Sequence, residues 1–256
     1  MDTQQQNQYN VLILGDSCED VYIFGECPRL SSEAPVPVLE QKKVEVKFGM
    51  VANVKSNFEN MSPKSKVNYL THNPKLSTKT RFVDIRSGQQ VMRHDILQKI
   101  PEIDIKDIPK EKYDAIIISD YDMGFISKKT IDFLKSINSP IFVDTKKRNL
   151  SCYSGCVVKI NEFEEKKAYN KKGCDLIVTV GSKGAKWSGK KYTTDVVEAH
   201  DVCGAGDVFL ASLVARWLET KNLEMSIKTA NKCASLSVTK IGCYSLSCQE
   251  YEDLKI

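Results

Sequence analysis

The chain reads as an α/β protein with a mostly parallel central sheet, flanking helices and a small β lid. Three features carry that assignment. From Tyr113 onward, short apolar runs alternate with helical patterns, and such alternation builds right-handed βαβ units with parallel neighbours. The runs end in acids, glycines or asparagines, the residues expected at ligand-facing strand ends. A Pro-containing, β-rich stretch over residues 21–47 stands apart from this rhythm.

In chain order, residues 11–14 form an apolar strand that ends at Gly15-Asp16, with Asp20 close behind. Asp16 and Asp20 serve either ligand hydroxyls at the strand's C-terminal edge or the turn itself. Residues 21–47 hold two extended runs around segment 32–38, whose prolines suit an edge strand or lid. Gly49 and Asn53 then lead into a helical pattern that runs through Phe58 and breaks at Ser62-Pro63. Residues 67–71 read as a strand. Residues 79–85 and 89–94 alternate like a hairpin around Arg86-Ser87-Gly88, which puts Arg93 at the hairpin's end, open to an anionic group. Segments 21–47 and 79–95 therefore form the lid.

Residues 115–119 make a buried strand with an acidic exit at Asp120, and 127–137 a helix capped by Ser127. Residues 141–143 lead into Asp144-Thr145-Lys146, and 156–160 into Asn161-Glu162-Phe163-Glu164 and a short helix. Residues 176–180 lead into Gly181-Ser182-Lys183-Gly184. A β-branched run, 192–197, precedes two closing helices, 207–220 and 223–239. No repeat or linker splits the chain, so 1–256 reads as one domain with 1–10 as a disordered, Gln-rich tail lacking signal-peptide features.

Composition narrows the function. The 41% hydrophobic and 27% charged fractions are those of a soluble globular protein. A net charge of +4, spread along the chain, is too weak for nucleic-acid binding, and no apolar run approaches a membrane span. Nine dispersed cysteines without a Cys-x-x-Cys pair fit reduced, mostly buried thiols in a cytoplasmic protein. Three histidines offer little to a multi-His metal site or a Ser-His-Asp triad. Segment 184–191 falls one residue short of a Walker A loop and continues as β structure, so it reads as a hairpin turn.

The chemistry concentrates in His200-Asp201-Val202-Cys203-Gly204-Ala205-Gly206-Asp207. Two glycines flanking an alanine before a helix leave N–H groups uncovered, and a helix N-terminus of that kind holds anions. Asp207 then makes sense as a base that takes a proton from an attacking hydroxyl while the amides of Gly204, Ala205 and Gly206 hold a phosphoryl group. The alternative is a plain Gly-containing turn whose Asp caps the helix. Cys203 inside this loop is expected to be inert packing.

Taken together, these pieces resemble the ribokinase or PfkB family of carbohydrate kinases. Asp201-Val202-Cys203-Gly204-Ala205-Gly206-Asp207 is similar to the family's Asp-Thr-x-Gly-Ala-Gly-Asp. Asn161-x-x-Glu164 is similar to its magnesium motif and Thr179-x-Gly181-x-x-Gly184 to its nucleotide-contacting turn. Within the family the chain looks most like the heptose-phosphate kinases of bacterial ADP-heptose synthesis. That likeness rests on Glu33-Ala34-Pro35-Val36-Pro37-Val38, on segment 89–95, on Asp144-Thr145-Lys146 and on Lys240-Ile241-Gly242. The chain departs at Met50, where the family has a second Gly, at Met123, where the subgroup has a Lys, and in a shortened 53–79 region.

The resemblance implies a ribokinase-like fold and transfer of the ATP γ-phosphoryl group to the anomeric hydroxyl of D-glycero-D-manno-heptose 7-phosphate. It implies sugar contacts at Asp16, Asp20, Gly49, Asn53, Arg93 and Asp120. Nucleotide contacts would come from Lys146, Asn161, Thr179, Gly181, Lys183, Gly184 and Asn231. Mg²⁺ would sit near Asn161 and Glu164, and a homodimer would form through the lid. Two alternatives keep the fold: a PfkB-type kinase for another sugar or a nucleoside, and a non-catalytic nucleotide-binding member.

Overall fold

The computed structural model describes residues 8–240 and 242–256. Residues 1–7 of the expected tail, and Ile241 of the Lys240–Gly242 match, lie outside them. Strand β1 (Asn10–Gly15), buried along nearly its whole length, passes almost directly into the lid strand β2 (Ser17–Leu30), which pairs antiparallel with β3 (Pro37–Met50). Helix α1 (Val51–Met61) follows, then β4 (Lys66–Thr71), which lies parallel to β1. The chain returns to the lid as the antiparallel pair β5 (Ser77–Asp84) and β6 (Gln90–Leu97), with β5 parallel to β2.

The βαβ half then supplies β7 (Ala115–Asp120), α2 (Lys128–Ser136), β8 (Ile141–Thr145), β9 (Val157–Asn161), α3 (Glu162–Lys167) and β10 (Asp175–Thr179). An antiparallel hairpin, β11 (Ala185–Trp187) and β12 (Lys190–Tyr192), extends the sheet edge. Helices α4 (Ala205–Thr220), α5 (Leu223–Ser237) and α6 (Cys248–Leu254) close the chain. The large sheet has the order β12-β11-β10-β9-β8-β7-β1-β4 and the lid sheet β3-β2-β5-β6.

Alternation along the central strands builds two apolar layers. Val11, Ile13 and Ile117 pack with Val54 and Phe58 of α1 and with the apolar face of α4, including Phe209 and Leu213. Leu12, Leu14, Ile116 and Ile118 point to the opposite layer, against Ile131 and Leu134 of α2. All these side chains are essentially fully buried, and each contributes about 1.5–3 kcal/mol of transfer free energy. The sheet is thus covered on both faces, and ligands are left with its C-terminal edge, where Asp16, Asp120, Asp144, Asn161 and Thr179 emerge.

Several details differ from expectation. Residues 8–10 belong to the fold rather than to a tail: Asn10 opens β1, and the Tyr9 carbonyl accepts the Lys66 N–H at 2.7 Å. The β-branched run 192–197 leaves the sheet after Tyr192. The Asn231 amide donates to the Tyr192 carbonyl at 2.8 Å and Thr194 bonds Ser235 at 2.7 Å, so the chain crosses α5 instead of pairing. Arg93 lies in the middle of β6, opposite Arg81, rather than at the hairpin's end. Helix α6 escaped notice because it is short; Ser247 and Glu250 close its N-terminus with a capping box. Between α1 and the lid the chain has just β4 and one 3-10 turn, Pro74–Leu76, consistent with the shortened 53–79 region.

Candidate active site

Gly204 takes a left-handed conformation (φ 77°) to start α4, and a Cβ there would fall 2.7 Å from the Asn53 amide nitrogen. A Cβ on Gly206 would fall 2.7 Å from Lys159 Nζ, so bare backbone at these two positions lets an amide side chain and an ammonium crowd the helix start. The Ala205 N–H makes one long bond, 3.4 Å to Val202 O. Among the described residues the Gly204 and Gly206 N–H groups have no acceptor. The cradle is therefore open toward a ligand, the condition for an anion site at a helix N-terminus.

Asp207 stands beside that cradle at 4% exposure. Its Oδ2 accepts from Asn53 Nδ2 at 3.0 Å and its Oδ1 from the Tyr121 hydroxyl at 3.4 Å. Asn57 fixes Asn53 in turn, donating to its Oδ1 at 3.1 Å. Burial pushes the Asp207 carboxyl up to about 6, with Asp144 adding to the rise, while the Asn53 bond and Lys159 pull the other way. That places it near the working range of a general base.

A polar cavity of about 230 Å³ is bounded by Asp207, Gly204, Gly206, Lys146, Lys159 and Tyr121. Its charges form a connected set: Asp144 lies 2.7 Å from Lys159 and 3.5 Å from Lys146, which reaches Glu164 at 2.6 Å. Burial works against the Lys146 charge, but Asp144 and Glu164 outweigh it and hold the lysine above its ordinary range. The Tyr121 ring carries Lys79 from the lid at 4.9 Å and Lys146 at 5.2 Å. The cleft can therefore gather negative charge against the cradle.

Beyond it, a more apolar cavity of about 450 Å³ shares Asn161, Thr179 and Gly206 with the polar one and is lined also by Gly181, Gly184 and Asn231. The structure thus brings Asn161, Thr179, Gly181, Gly184 and Asn231 together around one cavity, with Lys146 in the polar one beside it. Lys183 is exposed in the turn and outside that lining. Asn161 caps α3: its Oδ1 accepts the Glu164 N–H and its own N–H donates to Glu164 Oε2, both at 2.8 Å.

The acceptor side is arranged differently. Asn53 lines an open cavity of about 870 Å³ with Ser17, Lys47, Thr71 and Cys243. Asp20 is buried in an ion pair with Arg81, and Gly49 packs against its carboxylate. Asp16 is fully buried, accepts the Tyr121 N–H at 2.7 Å and is pushed up to about 6 by burial and by Asp120. Asp120 is held by Lys147 and the Tyr153 hydroxyl. Arg93 grips Asp95 with two bonds of 2.7 Å on the outer lid. Met50 adopts φ 58°, ψ −127°, a conformation costing about 1–3 kcal/mol, and its side chain turns into the interior at 3% exposure, outside both clefts.

Lys159, Arg81, Lys147 and Cys243 carry no motif in the sequence, and Tyr121 belongs to the Ser119-Asp120-Tyr121 match to the subgroup without an assigned role. One of them had a signal: a lysine inside the apolar run Val157-Val158-Lys159-Ile160 must be paired where it is buried, and so marks a charge cluster. Among the described residues no helix is long and apolar enough to cross a membrane.

The chain is similar to several known proteins. Residues 155–250 match the profile described as pfkB family carbohydrate kinase. The chain is 29% identical over 300 positions to "Bifunctional protein HldE" of a Nitratiruptor species, covering 95% of this chain and 64% of that protein. It is 28% identical to the protein of the same name from Haemophilus influenzae, covering 96% of this chain and 63% of the relative. The chain thus spans just under two thirds of the length of these relatives. The fold is similar to that of a ribokinase from Thermotoga maritima, with TM-score 0.72 at 17% identity over 96% of this chain and 99% of that one. The chain thus has a ribokinase-like architecture, and residues 155–250 of it are similar to the pfkB family carbohydrate kinase profile.

Proposed function

We propose that the chain is an ATP-dependent sugar kinase that phosphorylates the anomeric hydroxyl of a sugar phosphate, D-glycero-D-manno-heptose 7-phosphate being the favoured acceptor. The observation that carries this reading is Asp207, poised between an open amide cradle on one side and Asn53 of the acceptor cavity on the other. The HldE relatives favour the heptose phosphate.

In this reading the nucleotide base and ribose occupy the apolar cavity near Asn231, and the triphosphate reaches the cradle past Thr179 and Lys146. Asp207 accepts the hydroxyl proton from the acceptor at Oδ1 or Oδ2. The amides of Gly204, Ala205 and Gly206 stabilise the equatorial oxygens of the transferring group, where positioning and charge carry most of the rate. Tyr121 and Asn53 hold the carboxylate's orientation. Lys47 on the acceptor wall is the cation proposed for a distal phosphate, because Lys55 on the same wall is paired with Glu59 and Arg93 is engaged by Asp95.

Among the described residues no group of three or more His, Cys, Asp or Glu side chains is placed to hold a metal. Asn161 and Glu164 satisfy one another and Lys146, which fits a hydrated Mg²⁺ carried by nucleotide phosphates and touched through water. Such an ion neutralises charge on the phosphates when bound. We also propose the homodimer through the lid, because Val44, Val46 and Phe48 alternate along β3 and are 45–57% exposed, a face suited to a second copy of the chain.

One observation favours a second reading with the same fold and chemistry. Asp20 and Arg93 are internally paired, which fits an acceptor without a distal phosphate, such as a hexose, pentose or nucleoside. ADP release from MgATP, measured across free sugars, nucleosides and sugar phosphates, separates the two. The account expects release with heptose 7-phosphate; release with a free sugar alone selects the second reading, and silence with every acceptor overturns both.

A further inference from the structure

Cys203, expected to be inert, lies in contact with a second thiol. Its Sγ is 3.2 Å from Cys243 Sγ, although the two residues are forty positions apart. The Asp201 carboxylate holds the two segments together, accepting the Cys203 N–H and the Gly242 N–H, each at 2.9 Å. The Arg81 guanidinium lies 3.1 Å from Cys203 Sγ, and both cysteines are partly exposed to solvent. We propose that Cys203 and Cys243 are a thiol–disulfide pair, oxidised by hydroperoxides, whose closure ties the cradle loop to the 242–247 segment and blocks turnover.

The two sulfurs are unequal. The hydrogen bond with Cys243 and the Arg81 guanidinium hold the Cys203 thiol below the ordinary range despite burial. The same contact, with burial, holds the Cys243 thiol above it. Cys203 is thus the attacking thiolate and Cys243 the resolving thiol. The Cys203 sulfur attacks the peroxide, the O–O bond breaks, and the distal oxygen leaves as water, or as an alcohol, after taking a proton. Cys203 becomes a sulfenic acid. Cys243 then attacks that sulfur, the S–S bond forms, the S–O bond breaks, and hydroxide leaves with the Cys243 proton as water. Two electrons pass from the pair to one peroxide.

Closure draws the sulfurs from 3.2 Å to about 2.0 Å and removes the thiolate that Arg81 faces. Cys203 immediately precedes Gly204, so this movement is fed into the cradle. A misplacement of about 1 Å costs on the order of a hundredfold in rate. The loss of turnover rests on the kinase reading; the pairing itself does not.

Purified protein treated with hydrogen peroxide, alkylated and mapped by mass spectrometry tests the pairing directly. The expected result is a Cys203–Cys243 linked peptide that dithiothreitol reverses, with a Cys203 sulfenic acid trapped by dimedone in Cys243→Ser. Turnover of the wild type falls about a hundredfold on oxidation and returns on reduction. Both thiols remaining free, or Cys203 pairing elsewhere, overturns the pairing. A linked peptide in protein that turns over as the reduced enzyme does overturns the blockade, independently of whether the kinase assignment stands.

Discussion

The two halves of the cleft manage buried charge in opposite ways. On the nucleotide side, Lys146 and Lys159 share Asp144, and the cluster borders the polar cavity beside Gly206. Lys146 also pairs with Glu164, so these cations have protein partners too, but they line a cavity, and in the proposed reading an incoming phosphate meets them there. On the acceptor side, Asp20 is matched by Arg81, and Asp120 by Lys147, both with little exposure, so the charges are spent on each other. The first arrangement faces a cavity; in the second each pair ties neighbouring strands of one sheet, Asp20 and Arg81 within the lid and Asp120 and Lys147 at the ends of β7 and β8. Asp207 sits where they meet, held by Asn53 from α1 and by Tyr121 after β7. The difference teaches that an acid at a strand end is a ligand contact only if no cation of the protein reaches it first.

Four substitutions sharpen that contrast. The largest effect belongs to the junction. Asp207→Asn is expected to lower turnover by about 10²–10⁴-fold with nucleotide affinity unchanged, read by steady-state kinetics beside calorimetric titration. The same variant reports on burial. The folded carboxyl, raised to about 6, binds a proton that the unfolded chain releases near the ordinary value of 3.8, so wild-type stability falls as pH rises between those values. Asp207→Asn escapes that loss and should be more stable at pH 7, by on the order of 1–3 kcal/mol, and not at pH 4, read by urea titration.

Next comes the lid pair. Arg81→Met leaves the Asp20 carboxylate buried without a cation and should cost about 3–5 kcal/mol, most of it recovered in the double variant with Asp20→Asn. Recovery in the double variant with poor acceptor binding would move Asp20 back among the sugar ligands. A smaller effect is expected on the nucleotide side. Asn161→Ala removes the cap of α3 for about 1 kcal/mol of stability and raises the KM for MgATP more than it lowers kcat. Lys183→Ala, at an exposed turn, should change neither stability by more than about 0.5 kcal/mol nor nucleotide affinity.

The same contrast explains what the sequence could and could not disclose. Asn161 with Glu164, Thr179 with Gly181 and Gly184, and the 201–207 loop are local patterns, each attached to a strand or helix end, and the structure gathers them around two adjoining cavities. The acceptor half depends on contacts across long separations: Arg81 meets Asp20 sixty-one residues away, and Asn53 meets Asp207 across 154. No local pattern announces which cation closes on Asp20, so it read as a free sugar ligand. Register misled in the same way for Arg93, which the hairpin reading placed at a strand end and the observed pairing places opposite Arg81. Met50 shows a third kind of limit. Its Gly-like backbone is preserved while the side chain is absorbed by the interior, so a departure from the family pattern left the cleft unobstructed.

The claim on which the assignment rests is that Asp207 takes the acceptor's proton, and a pH profile of kcat/KM tests it most directly. The reaction needs the carboxylate ionised, so the rate should fall as pH drops through about 6, with the slope of one proton. Asp16 is raised to a similar value, so a second profile is needed. Because the Asn53 bond lowers the Asp207 value and does not touch Asp16, Asn53→Ala should move the acid limb to higher pH. A limb that stays in place in Asn53→Ala, or that lies near the ordinary carboxylate value in the wild type, would contradict the account.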